Sequence, residues 1–174
     1  MSPRPMKYIV SFSAGRGSWG AAKRAVAAYG AENVLLLSAD TKWEDDDYYR
    51  FHADAVKNIG AESVVIADGR TPFEVFRDER FLGNSRVDPC SKILKRQLLD
   101  RWVKERYTHK TATHIVGIGW WEVNRMDAIR ARLAPFTVLA PMTDSPYMDP
   151  PDVDAWMLRE GLIKPAAYAD GFPH

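Results

Sequence analysis

Five short runs, residues 8–13, 34–38, 63–67, 114–118 and 137–140, are rich in apolar and β-branched residues and scarcely alternate with polar ones. A strand with one wet face shows a period of two. A strand that reads as a continuous apolar run is buried on both faces, as in a parallel sheet covered by helices. Helical spacings lie between most of the runs. Residues 18–29 carry Ala21, Ala25 and Ala28, and residues 45–59 carry Tyr49, Ala53, Val56 and Ile59. Residues 89–107 carry Ile93, Leu94, Leu98, Trp102 and Val103, and residues 124–133 carry Ile129 and Leu133. This order predicts a three-layer, doubly wound, Rossmann-like α/β fold on a mainly parallel five-stranded sheet. Two segments break the rhythm: an insertion over 68–89, and a proline-rich turn over 141–151 that leads to a helical pattern at 153–160. No repeat or low-complexity tract interrupts the 174 residues, which are read as one domain, 1–174.

Composition narrows the function classes. Lys plus Arg number 24 and Asp plus Glu 23, a net charge of +1, which gives no bulk grip on long nucleic acid. No apolar run approaches the ~20 residues of a membrane span, and the first residues have no signal-peptide core, so a cytoplasmic protein is expected. The single cysteine, Cys90, excludes an internal disulfide, an iron–sulfur cluster and a Cys-rich zinc site. The four histidines, His52, His109, His114 and His174, lack the i,i+4 spacing of zinc ligands.

In an open parallel sheet, ligands bind beyond the carboxyl ends of the strands. The first run ends in Ser11 and Ser13 and passes through Ala14, Gly15, Arg16, Gly17 and Ser18 into an alanine-rich helical pattern. Small residues let backbone approach a ligand, and the start of a helix offers free N–H groups and the positive end of its dipole. The loop is therefore a candidate phosphate cradle. It matches G-x-G-x-x-G only weakly, at Gly15 to Gly20 with Trp19 inside, and it lacks the Walker pattern; a strand-to-helix turn shaped only for packing is the plain alternative. The other strand ends offer Asp40, Thr41 and Glu44; Asp68 and Arg70; and Gly119, Trp120, Trp121, Glu122 and Arg125.

These phrases, in this order, resemble the PP-loop ATP pyrophosphatases of the adenine nucleotide α-hydrolase-like superfamily, and among them the phosphoadenosine phosphosulfate reductase-like branch with its short phage and bacterial members. The family loop SGGxDS is similar to Ser13-Ala14-Gly15-Arg16-Gly17-Ser18, and a DTxxE-like phrase to Asp40-Thr41-Lys42-Trp43-Glu44. A Cys and Lys phrase is similar to Cys90-Ser91-Lys92-Ile93-Leu94-Lys95. A G-x…E-x-x-R phrase is similar to Gly117 through Glu122 and Arg125, and Pro141-Met142 follows the fifth run as in the family.

The resemblance implies an adenine nucleotide, ATP with Mg²⁺, held by Ser11, Ser13, Ala14, Gly15, Arg16, Gly17 and Ser18, with Thr41, Gly119 and Glu122 bordering the cleft. It implies Asp40 near the adenosine or as a metal ligand, and Arg16, Ser18, Lys92, Lys95 and Arg125 acting on the phosphates. The implied reaction cleaves ATP between the α- and β-phosphates and leaves AMP on an acceptor: water, a small amine or acid, a nucleobase precursor or, less favoured by the charge balance, a tRNA. Gly17 stands where the family has an aspartate that would position Mg²⁺ or the loop itself; its absence weighs against catalytic turnover and is compatible with phosphate binding. Arg16 replaces a common Lys with a forked donor suited to phosphate. Without the second, nucleophilic cysteine, sulfonucleotide reduction by the family's route is not expected. A sensor module that binds without turnover, or a sulfonucleotide-handling protein with a separate thiol donor, are the alternatives.

Each residue also has a plainer reading. Asp40 suits a helix cap, and Asp45, Asp46 and Asp47 suit the first turn of a helix. Cys90 suits buried packing. Lys92, Lys95 and Arg96 suit a solvated helix face, and Glu122 with Arg125 a surface i,i+3 pair. Trp120 and Trp121 suit stacking on a flat ligand, core packing or a contact between copies in a homo-oligomer.

Overall fold

The computed structural model describes residues 6–80 and 91–166. Its five strands are β1 (Lys7–Ser11), β2 (Val34–Ala39), β3 (Glu62–Ile66), β4 (Ala112–Ile115) and β5 (Thr137–Leu139). All pair in parallel, in the order β3-β2-β1-β4-β5. Ile9 of β1 stands level with Leu35 of β2 and His114 of β4. From β1 the chain steps outward to β2 and β3, then crosses back to lay β4 on the other side of β1. The strand order thus reverses between β1 and β4, and a crevice opens beyond their carboxyl ends.

Six α-helices cover the sheet among the described residues: α1 (Arg16–Tyr29), α2 (Asp46–Ile59), α3 (Pro72–Glu79), α4 (Leu98–Arg106), α5 (Met126–Leu133) and α6 (Pro150–Arg159). Alternation along each strand sorts them into layers. Val10, Leu36 and Ile115 face α1, α2 and α6 through Trp19, Phe51, Val153 and Met157. Ile9, Leu35 and Leu37 face the other way, onto Val103 of α4, and Val138 packs with Met126 and Leu133 of α5. β2 is buried from Val34 to Ser38, as its uninterrupted Val-Leu-Leu-Leu run requires. Burying each such side chain contributes about 1.5–3 kcal/mol. His114, in the middle of this dry layer, stands edge-on to Phe136 at 5.2 Å. Its Nδ1 finds no hydrogen-bond partner among the described residues, and burial pulls its pKa down to about 4, so the ring is neutral.

Most element boundaries differ from the sequence expectation by a residue or more: β1 ends at Ser11 rather than residue 13, α1 starts at Arg16 rather than residue 18, and four further differences have a local reason. β4 begins two residues early and stops at Ile115; Val116 and Ile118 are apolar because they pack against α5 as loop. The 68–89 segment holds α3, started by a capping box in which Thr71 and Glu74 bond each other's backbone, with Pro72 at the first turn. α6 starts at Pro150 rather than residue 153, because proline is suited to a helix's first turn and Asp149 caps it. Before α5 the chain makes a tight helical turn, Trp120–Arg125. Cys90 lies outside the described residues; from Ser91 a wide π-type turn, Ser91–Gln97, runs into α4.

Candidate functional site

β1 ends at Ser11, and the chain turns sharply through Ala14, whose φ of 59° is left-handed and whose methyl group is buried in the core. α1 begins at Arg16 with Gly15 as its cap. The first bond inside the helix runs from Trp19 N–H to Gly15 O at 3.0 Å, so the amides of Gly17 and Ser18 precede it and have no acceptor one turn back. No side chain caps the helix and its first turn holds no acid. The loop's hydroxyls organise the turn: Ser18 Oγ donates to Gly15 O at 3.0 Å, and Ser13 Oγ lies 3.3 Å from Ser18 Oγ. Trp19 is fully buried. Its Nε1 donates to Asn58 Oδ1 at 3.1 Å, and its ring meets Trp156 edge-on at 4.7 Å, which fixes the start of α1 against α2 and α6. The tryptophan inside the glycine pattern is thus an anchor for the loop.

The aspartate position of the resemblance is closed. A Cβ on Gly17 would lie 2.4 Å from the carbonyl oxygen of Gly117, and a Cβ on Gly117 would lie 2.4 Å from the amide nitrogen of Ser18. The start of α1 and the connection leaving β4 therefore touch backbone to backbone. Any side chain at either residue would have to part them.

A cavity of about 460 Å³ occupies the crevice between β1 and β4. Ser11, Ser13, residues 15–18, Gly117 and Ile118 line it. Trp121, Glu122 and Arg125, from the turn after β4, and Pro150, at the head of α6, also line it. Two arginines bring positive charge, and each has an acidic neighbour: Arg16 Nε lies 3.1 Å from Asp154 Oδ1, and Arg125 Nη1 pairs with Glu122 Oε1. Glu122 is the one acid in the wall among the described residues. Trp121 is 41% exposed, with its six-membered ring lying against Gly119.

The carboxyl ends of β2 and β3 are built differently. Asp40 Oδ1 accepts from Lys42 N–H and from Tyr49 Oη, both at 2.8 Å, and its Oδ2 lies 2.9 Å from Lys42 Nζ. Burial pushes the Asp40 carboxyl up, but the Lys42 and Tyr49 hydrogen bonds outweigh it and hold the pKa below the usual carboxylate value. The same contact, together with burial, pushes the Tyr49 phenol up to about 12. Thr41 is buried and donates to Glu44 Oε1 at 2.9 Å, and Lys95 Nζ lies 3.3 Å from that same oxygen. His52 Nε2 lies 2.9 Å from Ser38 Oγ, and burial lowers its pKa. After β3, Asp68 and Arg70 pair at 2.5 Å.

The structure therefore brings Ser11, Ser13, Gly15, Arg16, Gly17, Ser18, Glu122 and Arg125 around one cavity. Ala14 lies behind the loop and Gly119 beneath Trp121. Asp40, Thr41 and Lys95 join a separate cluster of hydrogen bonds and ion pairs, and Lys92 is exposed. Among the described residues no group of three or more His, Cys, Asp or Glu side chains is arranged to hold a metal ion. Gly117, Ile118 and Pro150 line the cavity in addition to the residues expected from the sequence. Gly117 belongs to the phrase that ends the fourth run, and its glycine was the available signal; Pro150 is brought in only by the path of α6. No family model matches the chain, and no curated protein matches it in sequence.

Proposed function

We propose that the crevice between β1 and β4 binds ATP or a related adenine nucleotide through its phosphates. The observation that carries this is the start of α1: amides without intrahelical acceptors, no acid in the first turn, and an open cavity walled by Arg16 and Arg125. Loop N–H groups and the forked guanidinium groups suit phosphate oxygens, and Arg125 would exchange Glu122 for a phosphate on binding. The residues suit a Mg²⁺ ion that arrives with the phosphates, which needs only one or two protein carboxylates. Glu122 faces the cavity and suits that part, whereas Asp40 has its oxygens taken up by Lys42 and Tyr49. When bound, Mg²⁺ would neutralise charge on the phosphates.

The reaction we propose is attack by water or an acceptor at the α-phosphorus. A nucleophile–phosphorus bond forms, the bond from the α-phosphorus to the α–β bridging oxygen breaks, pyrophosphate leaves with the bonding electron pair, and the nucleophile's proton passes to solvent. The loop amides and Arg125 would hold the leaving pyrophosphate, so catalysis is positioning and charge stabilisation. A second reading, binding without turnover, is favoured by the closed aspartate position at Gly17.

Calorimetry on Arg16→Ala/Ser18→Ala is expected to show ATP affinity at least tenfold weaker, and unchanged affinity would overturn the site. Incubation with labelled ATP and Mg²⁺ separates the readings, since AMP and pyrophosphate support the enzyme and bound, intact ATP the sensor.

A further inference from the structure

We propose that Trp121 is the stacking wall for the base of the bound nucleotide. The inference rests on the phosphate reading of the cleft and adds to it the place where the ring goes. A large apolar side chain normally buries its surface, yet Trp121 is 41% exposed and lines the cavity that the start of α1 opens into. It is held in place. Its ring sits against the backbone of Gly119, where even a methyl group would come within 2.4 Å of it. Trp120 meets it edge-on at 6.2 Å and 87°, and Tyr147 in turn meets Trp120 at 6.4 Å. Three aromatic side chains thus stand in contact, and of the three Trp121 lines the cavity. A flat ligand ring gains by stacking on such a surface, and every nucleobase has a π-face to offer. Asp40 and Thr41, at the end of β2, are not among the residues that line this cavity, whereas Trp121 is, so a ring attached to phosphates at α1 would meet Trp121 rather than Asp40. Stacking tolerates any base, so Trp121 supplies affinity for a nucleotide over bare phosphate and little choice among bases.

Calorimetric titration with ATP and with inorganic tripolyphosphate tests this on the full chain. Wild type is expected to bind ATP more tightly than tripolyphosphate. Trp121→Ala should weaken ATP about tenfold while leaving tripolyphosphate unchanged, and Trp121→Phe should stay within about threefold of wild type. Gly119→Ala keeps the indole but displaces it, and should weaken ATP in the same selective way. Because Trp121 lies at the surface, thermal melts of the variants should match wild type. If ATP affinity survives Trp121→Ala while tripolyphosphate still binds, the stacking role is overturned and the phosphate site stands. If tripolyphosphate fails to bind wild type, the phosphate site falls and the stacking role with it.

Discussion

α1 and α2 are each fourteen residues long, follow neighbouring strands and pack on the same face of the sheet, yet their first turns are finished in opposite ways. Their caps share a backbone conformation: φ −72°, ψ 162° at Gly15 and φ −76°, ψ 162° at Asp45. The difference lies in the side chains. Asp45 accepts from Tyr48 N–H at 2.8 Å, and Asp46 and Asp47 complement the dipole of α2. α1 has a glycine cap and no acid in its first turn. The end of β2 repeats the pattern of α2, with its polar groups answered by one another, whereas the end of β1 turns its amides toward a cavity. The two helix starts thus differ in whether side chains of the chain itself answer their amides.

The largest expected effect comes from forcing an acid into α1. Gly17→Asp drives a side chain into the Gly117 carbonyl and should destabilise the fold by on the order of 3 kcal/mol, read as a fall in melting temperature of roughly 10 °C. A variant as stable as wild type would show that the backbone contact yields easily. Gly15→Asp gives α1 the cap that α2 has. It should raise stability by a few tenths of a kcal/mol and weaken ATP binding at least tenfold, since the carboxylate takes the amides and repels phosphate. Unchanged affinity in a titration would mean that the first turn is not where phosphate sits. The reciprocal change, Asp45→Ala, should cost about 1 kcal/mol in denaturant unfolding and leave ATP affinity within about twofold. A tenfold loss would make the end of β2 part of the site.

The smallest effect is the pH dependence of the closed region. The folded pKa of Asp40 is below the usual 3.8, so the unfolded chain binds more protons there. Its stabilisation is complete above pH ~3.8 and is lost as pH falls through the lower, folded value. Melting temperatures between pH 6 and 3 should fall less steeply at the acid end for Asp40→Asn than for wild type. Parallel curves would show that its hydrogen bonds to Lys42 and Tyr49 do not matter in solution.

The three layers were legible, and central strands such as β2 and β4 most clearly, because burial on both faces leaves runs such as Val34 to Leu37 without a polar residue; the edge strand β3 carries an apolar run without that burial, with Val65 54% exposed. Strand ends were less legible. Val116, whose N–H still donates to Leu139 O at 3.0 Å, and Ile118 carry the same apolar signal as β4 beyond its last residue, and hydrophobicity records burial without recording where the strand ends. α3 had a local signature in Thr71, Pro72 and Glu74, outweighed in the reading by the glycines and prolines around it. In the site, Ser11, Ser13 and residues 15–18 were legible since one continuous segment supplies them. That Asp40 and Lys95 are engaged with partners was not, because their partners, Tyr49 and Glu44, are set by how α2 and the 91–97 turn pack. The room at residue 17 was illegible for a similar reason: the obstacle is a main-chain oxygen a hundred residues away.

That obstacle makes Gly17 and Gly117 a single heritable unit. Each glycine's empty position is filled by the other's backbone, so in a drifting lineage neither can be replaced first without harm, and replacing both only adds a second obstruction. An acid at residue 17 escapes that cost only after the connection leaving β4 has been rebuilt, by an insertion or a change of path. Point substitution alone keeps the chain on its own side of that barrier.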